Sequence, residues 1–386
     1  MTPDPRFCFD CDRPLDPGPG DDGDGRLRFC PTCQADRDAY QAALGDDCVG
    51  GPAPRFEGAV ALGVPLAGWP TDIALLALHM WDRFAELLTV EMPGLNPPRH
   101  PRAFPGTELG ERPPHKWVVT TDVGSTHHGG LGGGGTHGTD RLLAWHSTIA
   151  PPLPRDATRL EVLAQGPEAA ARTTVDLTGR GRAWARTTVT RNTTGAGQSD
   201  CPSCGPLPVA PAAEEPGNGG GFELDWAMEP PPEPQSDMLA VADTRRLCAR
   251  CSVAHQQVLA AINPTRVLPE RVVAVGADIG DLFGLHIVMP SLVVWPTWFD
   301  LSVTDESSGP WAQVLGSPHR AARWTATDDH GRDYLGTITG SNSGLGLCTR
   351  NLSFTPALSP DATSLTVAFP ASFDGTGASA TIDLHP

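Results

Sequence analysis

The segment Ala150-Pro-Pro-Leu-Pro-Arg-Asp156-Ala-Thr-Arg-Leu160-Glu-Val162 returns as Thr355-Pro-Ala-Leu-Ser-Pro-Asp361-Ala-Thr-Ser-Leu365-Thr-Val367. A proline-led approach, turn residues and then an alternating apolar run read as a connection entering a β-strand. Other pairs keep the same order around it. Trp81-x-x-Phe84 answers to Trp295-x-x-Trp298, and Trp117-Val-Val-Thr-Thr-Asp122-Val-Gly124 to Trp324-Thr-Ala-Thr-Asp-Asp329-His-Gly331. Val175-Asp-Leu177 answers to Ile382-Asp-Leu384. Chance supplies one such match but not an ordered series, so the chain reads as a tandem duplication.

A quartet of cysteines precedes each copy: Cys8-x-x-Cys11 with Cys30-x-x-Cys33, and Cys201-x-x-Cys204 with Cys248-x-x-Cys251. Two residues between cysteines let a tight turn aim both sulfurs at one ion, and four thiolates satisfy tetrahedral zinc. The same short spacing also suits a redox pair, and disulfides in a secreted chain are the competing arrangement. No signal-peptide pattern precedes Cys8, which favours reduced thiolates. The inner spacer holds 18 residues in the first quartet and 43 in the second, so the second carries an insertion. Both quartets lead into helical patterns, 34–44 and 252–262, the latter stopped by Asn263-Pro264. Arg28-Phe29-Cys30-Pro31-Thr32-Cys33, in this order of knuckle, hairpin and helix, resembles treble-clef zinc fingers of the small bacterial type. The resemblance covers about forty residues per copy; it implies two structural zinc ions and a local fold, and no activity.

The duplication also resolves an ambiguous stretch. Residues 72–88 alone have near-helical spacing at Ile73, Leu76, Met80, Phe84 and Leu87. Their counterpart, 283–303, is rich in Val and Ile and holds Pro290 and Pro296, which fits strands and turns. Duplicated segments share a fold, so both are predicted as strand. With 59–62, 117–122, 142–149, 160–163 and 173–177, each unit has roughly seven strands, the number of an immunoglobulin-like sandwich. The expected fold is mainly β: two tandem repeats, each a small four-cysteine zinc finger plus an immunoglobulin-like antiparallel β-sandwich. The first finger takes 1–50 and the first sandwich 51–178. An Arg-containing linker follows at 179–195. The second finger takes 196–263, with an acidic Pro/Gly-rich insertion at 205–238, and the second sandwich 264–386.

Among 386 residues, 43 Gly and 40 Pro demand short elements and many turns. A net charge of −17 repels phosphate backbones. The first 50 residues hold 11 acids against 5 arginines, so the first finger lacks the basic face of a nucleic-acid reader. The longest apolar run, 283–299, contains His286, Pro290 and Pro296 and makes a poor membrane span. Thiolate zinc without a secretory pattern points to the cytoplasm. Arg180, Arg182, Arg186 and Arg191 occur in 179–192 without an acid. They read as a solvated connection, with contact to nucleic acid or an acidic partner as the alternative. The insertion reads as extended or disordered, and its island Phe222-Glu-Leu224-Asp-Trp226 suits docking on a partner or on the chain's own sheet edge.

His127, His128, His137 and His146 concentrate around a Gly-rich run at 129–135, near Asp122 and Asp140. That composition can build a catalytic metal site. Their counterparts are Tyr334, Leu335, Gly344 and Asn351, so any such site belongs to one copy. Otherwise histidines in a Gly-rich loop are exposed polar groups. The glycine run lacks the Gly-Lys-Ser/Thr ending of a phosphate loop, and Asp328-Asp329-His330 has no nucleophile elbow beside it. No catalytic residue is assigned. The expected function is a non-enzymatic, zinc-stabilised binding or scaffold protein with a protein partner. Its two units offer two related surfaces, pack as an internal pseudo-dimer, or assemble further as a homo-oligomer. The alternatives are a nucleic-acid-associated zinc-finger regulator and a metal-dependent hydrolase built on the four histidines.

Overall fold

Along Arg-Leu-Glu-Val-Leu-Ala-Gln at 159–165 apolar residues recur at every second position, and burial follows the same period. That is what a strand covered on one face requires. The computed structural model describes residues 30–44, 54–69, 72–92, 116–129, 134–136, 143–165, 170–178, 187–193, parts of 253–262, 268–282, 285–306, 324–344, 347–368 and 376–384. The first half contains α1 (Pro31–Leu44), β1 (Phe56–Pro65), β2 (Asp72–Trp81), β3 (Ala85–Met92), β4 (Lys116–Thr121), β5 (Thr126–Gly129), β6 (Gly134–Thr136), β7 (Leu143–Ala150), β8 (Arg159–Gln165) and β9 (Ala170–Asp176). The second contains β10 (Thr187–Thr193), β11 (Arg271–Leu282), β12 (Leu285–Val294), β13 (Phe299–Glu306), β14 (Thr325–Asp328), β15 (Asp333–Gly344), β16 (Leu347–Thr355), β17 (Ser364–Ala368) and β18 (Thr376–Asp383). Helical residues also occur within 253–261.

The first sheet runs β1-β2-β3-β7-β5-β4-β8-β9, with β6 added on β7. The second, followed from β11, runs β11-β12-β13-β16-β15-β14-β17-β18, with β10 beyond β18. Exchanging each strand for its counterpart converts one order into the other. Each half is a three-strand meander followed by a Greek key, in which β8 returns beside β4 and β17 beside β14. Small details repeat as well. Trp81 N–H donates to the Phe84 carbonyl and Trp295 N–H to that of Trp298, each at 2.9 Å. Gly63 and Gly276 both have φ of 57°, at matching bulges of β1 and β11. Cis peptides occur at Ala150–Pro151 and Thr355–Pro356. The strands predicted at 72–88 and 283–303 are present.

The expected sandwich of two facing sheets differs from the sheet observed. Each half is one hydrogen-bonded path that curls toward closure. In the second half β15 turns the corner: its first residues pair with β14 and the rest with β16. The ends of that path approach where the Arg271 guanidinium donates to the Leu384 carbonyl at 3.4 Å. Each curled sheet encloses its own core, around Leu75, Leu87, Trp117 and Val162 in the first and Phe299, Tyr334 and Phe354 in the second. Arg350 and Asp305 pair within the second core, and burial pushes the Arg350 guanidinium down to about 10. The segment read as a linker at 179–195 also differs. Its Thr187–Thr193 portion is β10, paired with β18 in the second sheet, because Thr-Thr-Val-Thr is β-branched throughout.

The helices dock in the same way. Tyr40 and Leu44, 7 and 11 residues after Cys33, pack with Trp81 and Phe84. Val258 and Ile262, 7 and 11 residues after Cys251, pack with Trp295 and Trp298. The two halves meet through the outer faces of their meanders. A register shift between Leu75 and Ala77 turns both Leu76 and Ala77 outward. Ala74, Leu76, Ala77, Leu88 and Val90 thereby join Val272, Val293, Trp295 and Trp298 of the other half in one buried seam. Cys8, Cys11, Cys201, Cys204, Cys248, Cys251, His137 and the island at Phe222, Leu224 and Trp226 lie outside the described residues. Among the described residues no helix is long and apolar enough to cross a membrane.

Candidate metal centre

Three adjacent strands bring His79, Glu86 and His146 together. Pairing of β2 with β3 sets His79 opposite Glu86. Pairing of β3 with β7 sets Leu88 opposite His146, so His146 lies diagonal to Glu86. Ala85 and Leu87 face the core, which sends Glu86 to the outer face. The other half covers that face, leaving His79, Glu86 and His146 only 0%, 6% and 3% exposed.

One ligand-capable atom from each of the three lies within 4.8 Å of the others. His79 Nδ1 is 3.7 Å from Glu86 Oε2, and the two imidazole centroids are 6.4 Å apart. The Trp81 indole N–H donates to Glu86 Oε2 at 3.3 Å. His79 Nε2 reaches across the seam to Ser291 Oγ on β12 at 2.9 Å, and that hydroxyl donates to Ser302 Oγ at 3.4 Å. Burial opposes charge on Glu86. The adjoining His79 ring, the charge of His146 and the Trp81 indole outweigh it, holding the carboxyl below its ordinary 4.5. Two imidazoles and a carboxylate suit zinc, iron or nickel.

The second half holds Val293, Asp300 and Asn351 at the matching positions. Asp300 accepts from the Trp295 and Trp298 indoles at 2.8 and 3.1 Å and from Ser353 Oγ at 2.5 Å. An acid that anchors the hairpin tryptophan is therefore common to both copies, and the histidines belong to the first.

Of the three described histidines among the four singled out by sequence, His127, His128 and His146, only His146 joins this group. His127 corrects the expectation of an exposed loop: it is buried on β5, whose pairing with β4 and β7 fixes its direction. Its Nε2 contacts Ser125 Oγ at 2.7 Å and its Nδ1 the Pro151 carbonyl at 2.8 Å. Burial pushes its pKa down, against the opposing effect of that carbonyl. His128 is half-buried on the same strand. His79 and Glu86 escaped the sequence reading, since His79 sits in a run that reads as core. The legible signal was the acid shared two residues after each aromatic pair, Phe84-x-Glu86 and Trp298-x-Asp300. Of the first quartet, Cys30 is buried at the foot of α1, where Gln34 N–H donates to its carbonyl at 2.9 Å, and Cys33 stands in the first turn.

No family model matches the chain, and no curated protein matches it. Among solved structures, "The crystal structure of the conserved domain protein from Bacillus anthracis" aligns over 80% of this chain and 76% of that one, at 12% identity and a TM-score of 0.20. This likeness assigns neither a fold nor a role.

Proposed function

We propose that the chain is a non-enzymatic, zinc-stabilised binding or scaffold protein, working in a reducing compartment such as the cytoplasm. Its two four-cysteine modules each hold a structural zinc ion against their own β unit. The two units serve as an internal pseudo-dimer that presents a composite surface to a protein partner. The observation that carries this reading is the matched docking of Tyr40 and Leu44, and of Val258 and Ile262, onto their aromatic hairpins. It supports a role for each quartet beside its β unit, since the helix that follows each quartet packs on that unit's hairpin. The polar groups that suggested chemistry support the same reading. His127 is engaged by Ser125 and Pro151, and Asp328 accepts from His330 N–H, Arg332 N–H and the Tyr334 hydroxyl. A hydrolase built on the four histidines would have to do without His127, both of whose ring nitrogens are engaged. The charge of −17 weighs against a nucleic-acid regulator.

The test has two measurements. The purified chain, loaded with cobalt, should show thiolate charge transfer equivalent to two tetrathiolate sites, lost half at a time by Cys30→Ser and Cys248→Ser. A partner retained by the immobilised chain from its native host should, once purified, bind the chain directly in calorimetry. Metal-dependent turnover of ester or phosphoester probes, with no direct binder found, would reverse the reading.

A further inference from the structure

We propose that His79, Glu86 and His146 bind a divalent transition-metal ion, of the zinc class, that clasps the seam between the two halves. Hydrogen-bond polarity carries the argument. Ser291 Oγ directs its proton to Ser302, so it accepts from His79 Nε2–H. A neutral imidazole protonated on Nε2 presents a lone pair on Nδ1. That Nδ1 is buried, makes no hydrogen bond among the described residues, and faces Glu86 Oε2 at 3.7 Å. Two acceptors facing each other away from water are unfavourable unless a proton or a metal ion lies between them, and the nearby His146 favours the metal. His146, on the next strand, supplies the third donor within 4.8 Å. The Ser291 contact is the outer-shell bond that fixes the tautomer of a metal-bound histidine.

The dimensions are compatible. Zinc–ligand distances of about 2.0–2.2 Å place tetrahedral donors about 3.3 Å apart. The donor atoms, now within 4.8 Å of one another, would draw together by roughly 1–1.5 Å around such an ion. All three ligands come from the first half, and the second half covers them through Ser291. The ion would therefore order the outer face on which the other half sits. This inference stands apart from the cysteine quartets and from any partner.

The second copy supplies the test variant. His79→Val with His146→Asn installs the residues found at Val293 and Asn351 in the same fold. The full chain and this variant are loaded with cobalt and their metal content counted. The wild type should hold one more ion per chain than the variant. Thiolate charge transfer should be equal in the two, because nitrogen and oxygen ligands contribute none. Glu86→Gln should weaken the additional site at least tenfold while circular dichroism stays unchanged, and it serves alone if the double variant does not fold. Equal metal content in folded wild type and variants would overturn the clasp and leave Glu86 paired with a protonated His79. Loss of the charge-transfer band alone would count against the zinc modules and not against the clasp.

Discussion

Asp122 and Asp329 close equivalent turns with the same bonds. Asp122 accepts the Thr158 N–H at 3.0 and 3.3 Å and the Thr158 hydroxyl; Asp329 accepts the Thr363 N–H at 3.1 and 3.2 Å and the Thr363 hydroxyl. These donors favour the carboxylate. Both acids are held below their ordinary 3.8, chiefly by the threonine hydroxyl. Because the folded value is depressed, the stabilisation is complete above the unfolded value and drains away as pH falls through the folded one. Asp122→Asn and Asp329→Asn should therefore lower Tm most above the ordinary aspartate range, with the gap to wild type closing as pH falls below it. A gap independent of pH in thermal melts would refute this role. The aspartates and threonines fall in matched segments of the sequence, but their pairing emerged only from the structure. His79 was not legible either, because its partner Ser291 lies in the other copy and its direction depends on the bulge at Leu76.

At the level of elements, Gly129 on β5 and Gly336 on β15 are counterparts, and each marks a strand pressed close to a neighbour. A Cβ on Gly129 would lie 2.7 Å from both Ile149 Cδ1 and Trp117 Cβ; one on Gly336 would have three ring atoms of Phe354 within 2.9 Å. Overpacking of this kind costs roughly 1–3 kcal/mol. Gly129→Ala and Gly336→Ala should each lose about that much stability in urea melts. Gly340→Ala, whose nearest neighbour is at 3.5 Å, should lose less; equal losses at all three positions would show that close approach is not the cause. Most strands, and the helix after Cys33, could be read from period and from repeat. β10 could not, because the arginines of 179–192 drew attention to charge while the threonines and valine of the strand carried its signal. Nor could the continuous curled sheet, since which strands pair depends on contacts far apart in sequence, as where β4 joins β8.

For the whole molecule, β10 means that the second unit begins before its cysteines. A fragment 187–386 keeps the partner of β18, whereas 196–386 leaves that edge bare. Both lose the seam equally, so the shorter fragment should melt lower and aggregate sooner; identical melts would remove β10 from the second fold. The seam itself has an evolutionary reading. In a symmetric homodimer one surface must complement itself, so any change appears twice and must suit both places. Here His79 meets Ser291, while its counterpart Val293 shares the seam cluster with Ala77, the counterpart of Ser291. Covalent linkage released the two surfaces from mirroring one another, and one of them was free to acquire imidazoles that the other never needed.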